Sequence, residues 1–458
     1  MSVPFVSASD AEAAAADAVR AVLLTQWERR PIVLLDSPPG AGKTYVVECL
    51  AVQSSELLGE RCMVVAQTNE QAFDLARRLG RGFPRLQFTL FLRKDMVVPN
   101  EVLELGNIRV VNDSRDLPTG PSVVIANAEK WAYFDGPNLS FDCQVVDEAY
   151  QLPDFRFQQI AGLARRIVLV GDPGQITPVI RCDIGRWKDD PAGPHVPCPQ
   201  ALAARHPDIC RLSLPVSRRL PPDTVRIVQS AFYPNLPFVS LCGPEGRKLT
   251  AGSPSETPLD PPIDRLRSGA SIVMAELPPR VTGPVDEDLA NALVGLILRL
   301  VRRRIQVWDG PDAKLLEPNM VGVACAHVAQ VNAVRERLPR NMSHVFVETS
   351  DRFQGLERPV MLVHHPLSGR VDASRFHLDA GRLCVMMSRH KNACIIVARG
   401  GIREMLLRYT PVGDRVLGVP QDPEFEGWRS HLFIMDELRR AGRIMTIPRL
   451  TSWTDGKR

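Results

Sequence analysis

The chain is short of the features that would set it apart from ordinary soluble proteins. No uncharged apolar run approaches the roughly 20 residues that a membrane-spanning helix needs, and the first residues lack the basic stretch and apolar core of an export signal. A cytoplasmic location and no membrane partner are therefore expected. Neither sign of charge dominates: 56 basic against 52 acidic side chains leave a net charge of +4. Any polyanionic partner must be met by a local groove rather than by the whole surface. Aromatic residues are only 6% of the chain, so extended stacking surfaces are few. The ten cysteines form no CxxC pair, and Cys49, Cys325, Cys384 and Cys394 sit in apolar runs. They read as reduced core thiols, not a disulfide framework. The loosest gathering, Cys182, His195, Cys198, His206 and Cys210, fits no zinc-ligand spacing. No internal repeat is present.

What is there centres on Ser37-Pro-Pro-Gly-Ala-Gly-Lys-Thr44, which follows Ile32-Val-Leu-Leu35 and leads into Tyr45-Val-Val-Glu-Cys-Leu-Ala51. That order predicts strand, tight turn and helix. Backbone N–H groups of such a turn converge on phosphate, and the helix dipole favours negative charge there. Gly40 and Gly42 give the turn its freedom, Lys43 reaches the β- and γ-phosphates, and the Thr44 hydroxyl is a Mg²⁺ ligand. Ser37 stands where GxxxxGK[ST] has its first glycine, a place a serine can fill while its φ stays negative.

The 458 residues leave room for two or three domains. A helix is expected over 8–27, with Ser9 as N-cap and Glu12 completing a capping box. Short apolar runs at 61–66, 122–126, 143–147 and 166–171 alternate with helical patterns. They predict a parallel α/β sheet with function at the strand C-termini. Residues 181–199 and 241–270 read as irregular. Alternation resumes from 271 to 398, giving a second α/β unit without a P-loop. The expected division is 1–205, 206–400 and a partly helical tail, 401–458.

Val145-Val-Asp-Glu148 supplies the second acidic element that a P-loop needs. Asp147 is placed to hold Mg²⁺, and Glu148 to orient or deprotonate the attacking water. Gln175, past the next strand, is placed to sense the γ-phosphate. Arg218, Arg219 and Arg389 are cations that a facing domain can bring to a transferring phosphoryl group. Asp351-Arg-Phe-Gln-Gly-Leu-Glu357 presents Gln354 and Glu357 about a glycine turn.

In this order the motifs resemble the superfamily 1 helicases, most closely the DEAxQ branch that includes the nonsense-mediated-decay helicase and its DNA-processing relatives. The matching runs are SPPGAGKT at 37–44, AQTN at 66–69, VVDEAYQ at 145–151 and GDPGQITP at 171–178. VSRRLPP at 216–222, VETSDRFQGLE at 347–357 and LCVMMSRHKNACIIVA at 383–398 follow. The resemblance implies two RecA-like domains with ATP in the cleft between them. It carries phosphate and Mg²⁺ roles onto Lys43, Thr44 and Asp147, catalysis onto Glu148, and γ-phosphate sensing onto Gln175. Arg218 and Arg389 match arginine fingers, Glu357 a ribose contact and Gln354 a phosphate-facing glutamine. Thr68, Asn127 and Thr349 match positions that touch the nucleic-acid backbone. Departures are Ser37, Ser388 in place of threonine, Val216-Ser217 in place of Gln-Tyr, and Ala15 where an adenine-reading glutamine is expected.

The function expected is ATP-dependent movement on single-stranded nucleic acid, DNA ahead of RNA, with a helicase or translocase as the enzyme. With so few aromatics, phosphate and sugar contacts should dominate that grip. Two other readings stay open: a P-loop ATPase that remodels protein partners without such a track, and a non-catalytic helicase-like clamp.

Overall fold

The computed structural model describes residues 6–28, 30–137, 140–178, 180, 183–187, 190–243, 246–250, 253–254, 256–409, 411 and 423–450. Cys182, parts of 181–199 and 241–270, and parts of the tail lie outside these residues.

The fold is α/β, built on two parallel sheets. The first has eight strands: β1 (Ile32–Asp36), β2 (Arg61–Ala66), β3 (Phe88–Phe91), β4 (Ile108–Val111), β5 (Ser122–Asn127), β6 (Phe141–Val146), β7 (Ala164–Gly171) and β8 (Cys210–Ser213). Their spatial order is β4-β3-β5-β2-β6-β7-β1-β8, and every pairing is parallel. β1 shows why the strands are apolar throughout. Val33 and Leu35 enter one core and Leu34 the opposite one, so both faces of the pleat are covered. Val46, Val47 and Leu50 of the helix after the P-loop, α2 (Lys43–Glu56), pack into the first core; Phe157 and Leu202 pack into the second.

The second sheet runs Phe346–Thr349, Val321–Cys325, Arg358–His364, His390–Arg399, Ile272–Leu277 and Ile444–Thr446, again parallel throughout. Its two cores follow the same alternation, with Val273 and Ala275 on one side and Ile272 and Met274 on the other. The helix Glu287–Arg302 covers the first side; Ala380–Met387 and Pro423–Arg440 cover the second.

Several local expectations are corrected. The first helix, α1 (Ala8–Trp27), is capped by Ser7 rather than Ser9, and its box partner is Asp10 rather than Glu12. Ser7 Oγ accepts from the Asp10 N–H at 3.2 Å, and an Asp10 oxygen accepts from the Ser7 N–H at 3.3 Å. The helix itself covers the expected residues 8–27, and only its cap and box partner differ. The stretch 241–270 contains a strand, Leu249–Thr250, and a helix, Asp260–Arg267. That strand joins an unforeseen antiparallel hairpin, Gln306–Asp309 with Asp312–Leu315. Strand pairing also runs past the expected boundaries. Cys210–Ser213 pairs with β1 beyond residue 205, and Ile444–Thr446 pairs with Ile272–Leu277 beyond residue 400. Among the described residues, no helix is long and apolar enough to cross a membrane.

Candidate nucleotide site

The strand order β5-β2-β6-β7-β1 lines up five loops at one edge of the first sheet. They carry Asn127, Thr68, Asp147-Glu148, Asp172-Gln175 and the P-loop. In the P-loop, Gly40 (φ 73°) and Gly42 (φ 86°) adopt left-handed backbone, and Gly42 is the N-cap of α2. A Cβ on Gly40 would lie 2.4 Å from Arg219 Cβ, so the turn also needs glycine for space. Ser37 is buried and keeps a φ outside the positive range. Its N–H donates to the Gly171 carbonyl at 2.8 Å, which ties the start of the loop to β7.

Lys43 Nζ donates to Glu148 Oε2 at 2.8 Å. Glu148 sits at φ 50°, ψ 43°, a left-handed conformation that costs a non-glycine residue on the order of 1 kcal/mol or more. Asp147 precedes it, buried, and its Oδ1 accepts the Glu148 N–H at 2.9 Å. Burial and then the Glu148 carboxylate push the Asp147 carboxyl up to about 7, against the pull of Lys43. A divalent cation beside Asp147 would restore its charged form. Thr44, half-buried in the first turn of α2, is the hydroxyl on offer.

The second unit closes over this edge. Ile176, beyond Gln175, is buried in a core of the second sheet, and a Cβ on Gly381 would lie 2.6 Å from the Gln175 carbonyl oxygen. Arg389 follows Ala380–Met387 and is 1% exposed. Its Nε and Nη2 have no protein partner. Burial and then the nearby Arg219 lower its guanidinium to about 10, while Asp172 and Glu148 pull the other way. A buried, under-satisfied cation beside two acidic loops fits an anionic ligand. Gln354 Nε2 and Gln175 Oε1 are also buried and unpartnered.

Other expected residues have protein partners. Arg218 donates its backbone N–H to the Gly40 carbonyl at 2.8 Å and its guanidinium to the Ala11 carbonyl at 3.0 Å. Its neighbour Arg219 reaches Glu357 at 2.9 Å and the Ser388 carbonyl at 3.2 Å. Glu357 also pairs with Lys391 at 2.6 Å. Burial opposes ionisation of Glu357, but Arg219 and Lys391 outweigh it and hold the carboxyl at about 2. Glu357 and Arg389 both precede strands, so they lie at the N-terminal edge of the second sheet.

Thr349 ends its strand level with Cys325, at the opposite edge of that sheet. Thr68 caps α3 (Asn69–Gly82), accepting the Gln71 N–H at 3.2 Å. Asn127 caps the helix Ala128–Ala132 through Lys130 N at 2.7 Å and donates to Asn69 at 2.8 Å. Thr68 and Asn127 thus share the sheet edge of the P-loop, whereas Thr349 lies at the opposite edge of the second sheet from Glu357 and Arg389. Sequence reading passed over Asp172 and Tyr233, whose 2.6 Å hydrogen bond joins the two units. Asp172 stood inside a quoted motif, but nothing in the sequence marked Tyr233. Among the described residues no group of three or more His, Cys, Asp or Glu side chains is arranged to hold a metal by itself.

A family model described as an AAA domain matches residues 287–400, within the unit that lacks the P-loop. No curated protein matches the chain. Among solved structures, the chain is similar to the arterivirus nonstructural protein 10 helicase at 14% identity and TM-score 0.42, covering 84% of this chain and 61% of that one. A structure of the PRRSV helicase is similar at 16% identity and TM-score 0.41, covering 84% and 54%. The arterivirus protein in complex with DNA is similar at 14% identity and TM-score 0.41, covering 88% and 63%. The chain thus spans less than two thirds of each of these three proteins.

Proposed function

We propose that this chain is an ATP-hydrolysing motor of the superfamily 1 helicase type, of the DEAxQ branch, which moves on single-stranded nucleic acid in the cytoplasm. The observation that carries the reading is Arg389. A buried guanidinium from the second unit has two nitrogens without a protein partner and lies in the field of Asp172 and Glu148. Such a group is stable when an anion is held between the units, which gives phosphate binding a direct purchase on domain closure.

The roles follow from chemistry. Gly40, Gly42 and Lys43 take the β- and γ-phosphates; Arg389 and Gln354 meet the terminal phosphate from the other side, with Arg218 at the edge of the P-loop. Thr44 and Asp147 would hold Mg²⁺, which would supply positive charge to offset that of the phosphates. Glu148, released from Lys43 as that cation turns to phosphate, takes the proton of the attacking water. Gln175 senses the γ-phosphate, and Glu357 orders Arg219 and Lys391 at the cleft. Thr68 and Asn127 on one unit and Thr349 on the other grip the strand backbone, so closure changes the distance between two grips. The proposed bodies are 1–205 and 206–400, followed by the tail, with the strands at 210–213 and 444–446 completing the first and second sheets.

The test is the ATP turnover rate with and without single-stranded DNA or RNA at low salt, with Glu148→Gln alongside. Strong stimulation by one polymer, absent in the variant, supports the motor and names its track. Turnover indifferent to both overturns the motor in favour of a protein-remodelling ATPase. No turnover leaves a clamp.

A further inference from the structure

Ile272–Leu277 stands in the second sheet where β1 stands in the first. Each is the first strand of its sheet in chain order and lies between a long strand and a short edge strand. In the second sheet these neighbours are His390–Arg399 and Ile444–Thr446. The helix that follows Ile272–Leu277, Glu287–Arg302, packs on one face of the sheet. Ile402–Arg408, which follows His390–Arg399, packs on the other. Helices that leave neighbouring strands on opposite faces open a crevice at the carboxyl edge, the usual place for a ligand in a parallel sheet. There the loops around Arg280, Arg370 and Gly400 enclose a cleft of about 310 Å³, the size of a small-ligand pocket. Gly369 (φ 68°) and Gly401 (φ 96°) turn its rim sharply, so bare backbone borders the opening there. Unlike the P-loop, the helix N-terminus beside it is already filled. Asp286 caps Glu287–Arg302 by accepting the Leu289 N–H at 3.1 Å, and Arg399 holds the same carboxylate at 2.7 and 2.8 Å. That carboxylate occupies the place where a P-loop helix meets phosphate, so the cleft offers no cradle for a triphosphate.

Two arginines line the cleft with charge to spare. Arg280 reaches Asp288 at 3.3 Å, but Arg399 and Arg449 already hold that carboxylate at 2.8 Å. Asp286 and Asp288 thus share three guanidiniums, which leaves one positive charge over. Arg370 has no ion pair among the described residues and donates to His327 Nε2 at 2.8 Å. Burial and then Arg370 itself lower the pKa of that ring, so the acceptor stays uncharged. Leu367, Ile402 and Met405 add an apolar wall. We infer that this cleft binds a nucleoside monophosphate unit, with its phosphate on Arg280 and Arg370 and its base against Leu367, Ile402 and Met405. The unit is either a free nucleotide or one link of a strand. Thr349 ends its own strand on the same carboxyl edge, three to four strands away, about 15–20 Å at the usual strand spacing. Arg389 lies at the opposite edge, so the inference goes beyond the motor reading and does not rest on ATP turnover.

The probes are AMP, ribose 5-phosphate and oligo(dT), titrated against the full chain at low salt. Arg280→Gln combined with Arg370→Gln should weaken AMP binding by about tenfold or more. Arg280→Gln alone, at an exposed side chain, should give a smaller loss in the same direction even where the double variant folds poorly. Lys43→Ala, which alters the P-loop on the other unit, should leave AMP affinity unchanged. AMP should bind about tenfold tighter than ribose 5-phosphate, because only AMP brings a base to the apolar wall. Oligo(dT) that weakens in the arginine variants and is displaced by AMP assigns the unit to a strand; oligo(dT) indifferent to them assigns it to a free nucleotide. A parent that binds no AMP overturns the inference. AMP binding that is lost in Lys43→Ala and kept in the arginine variants belongs to the P-loop, and the inference falls. Equal affinity for AMP and ribose 5-phosphate would leave a plain anion site and overturn the nucleotide assignment. ATP turnover is read separately, so a parent without turnover fells the motor while these titrations still decide the cleft.

Discussion

Lys43 Nζ and Glu148 Oε2 lie 2.8 Å apart, both largely shielded from water, so the proposed phosphate-binding cation and the proposed base occupy each other. In the proposed motor, nucleotide separates them. Glu148→Gln removes the competing anion and the base together. It should lower kcat by about 10²–10⁴-fold while ATP affinity holds or rises. Turnover kinetics and a direct binding titration check both halves; an affinity loss as large as the rate loss would mean that Glu148 serves binding rather than proton transfer.

The close approach of Arg219 to the P-loop gives a second prediction. Gly40→Ala adds a methyl 2.4 Å from Arg219 Cβ at φ 73°, so it combines backbone strain with collision. Gly59 has a similar φ of 66° and nothing within 4 Å, so Gly59→Ala reports strain alone. Gly40→Ala should cost about 1–3 kcal/mol more than Gly59→Ala in urea unfolding, and it should weaken the Arg219–Glu357 contact. Equal costs would mean that the second unit does not press on the loop in solution.

The loops that the first sheet gathers at one edge could be read in the sequence because their signals are local. A glycine turn between an apolar strand and a helix announces Lys43, and a carboxylate at a strand end announces Asp147. The units they belong to follow from the same runs. What could not be read depends on partners distant in sequence. Asp312–Leu315 is a strand exposed at every position, so it has no apolar alternation to betray it. Arg218 and Arg219 are adjacent in sequence, and only tertiary contacts send one to the Ala11 carbonyl and the other to Glu357. Tyr233 meets Asp172 across 61 residues. The N-cap shifted by two residues because Ser7 and Ser9 carry equal local signals, and Asp10 decided between them.

Buried histidines set the acid limit of stability. Burial lowers His364 and His390 to about 4 and His431 to about 3, and moves His365 well down. In the unfolded chain these rings protonate near 6.5. Between that value and about 4 the unfolded state therefore binds more protons, and stability falls as pH falls. Each such ring adds a slope of about 1.4 kcal/mol per pH unit. Asp147, raised to about 7, has the opposite sign below neutrality and offsets roughly one of them. Urea midpoints should be nearly flat from pH 8 to 7 and drop steeply from 6.5 to 5. A flat profile across that lower range would mean that the rings are hydrated in solution.

Thr68 allows capping to be separated from strand binding. Its hydroxyl accepts from the Gln71 N–H, and Gln71 Oε1 accepts the Thr68 N–H at 3.1 Å, so the residue has a structural task whatever else it touches. Aspartate caps a helix at least as well as threonine, and its charge suits the N-terminus, by about 0.3–1 kcal/mol. Thr68→Asp should therefore leave the thermal midpoint unchanged or slightly raised, whereas Thr68→Ala should cost about 1 kcal/mol. If a backbone phosphate lies against this exposed residue, the added carboxylate repels it. Affinity for single-stranded DNA or RNA should then fall by about tenfold at low salt, with the gap narrowing as salt screens the charge. A Thr68→Asp protein that binds the strand as tightly as the parent would reduce Thr68 to a helix cap and move the first grip toward Asn127.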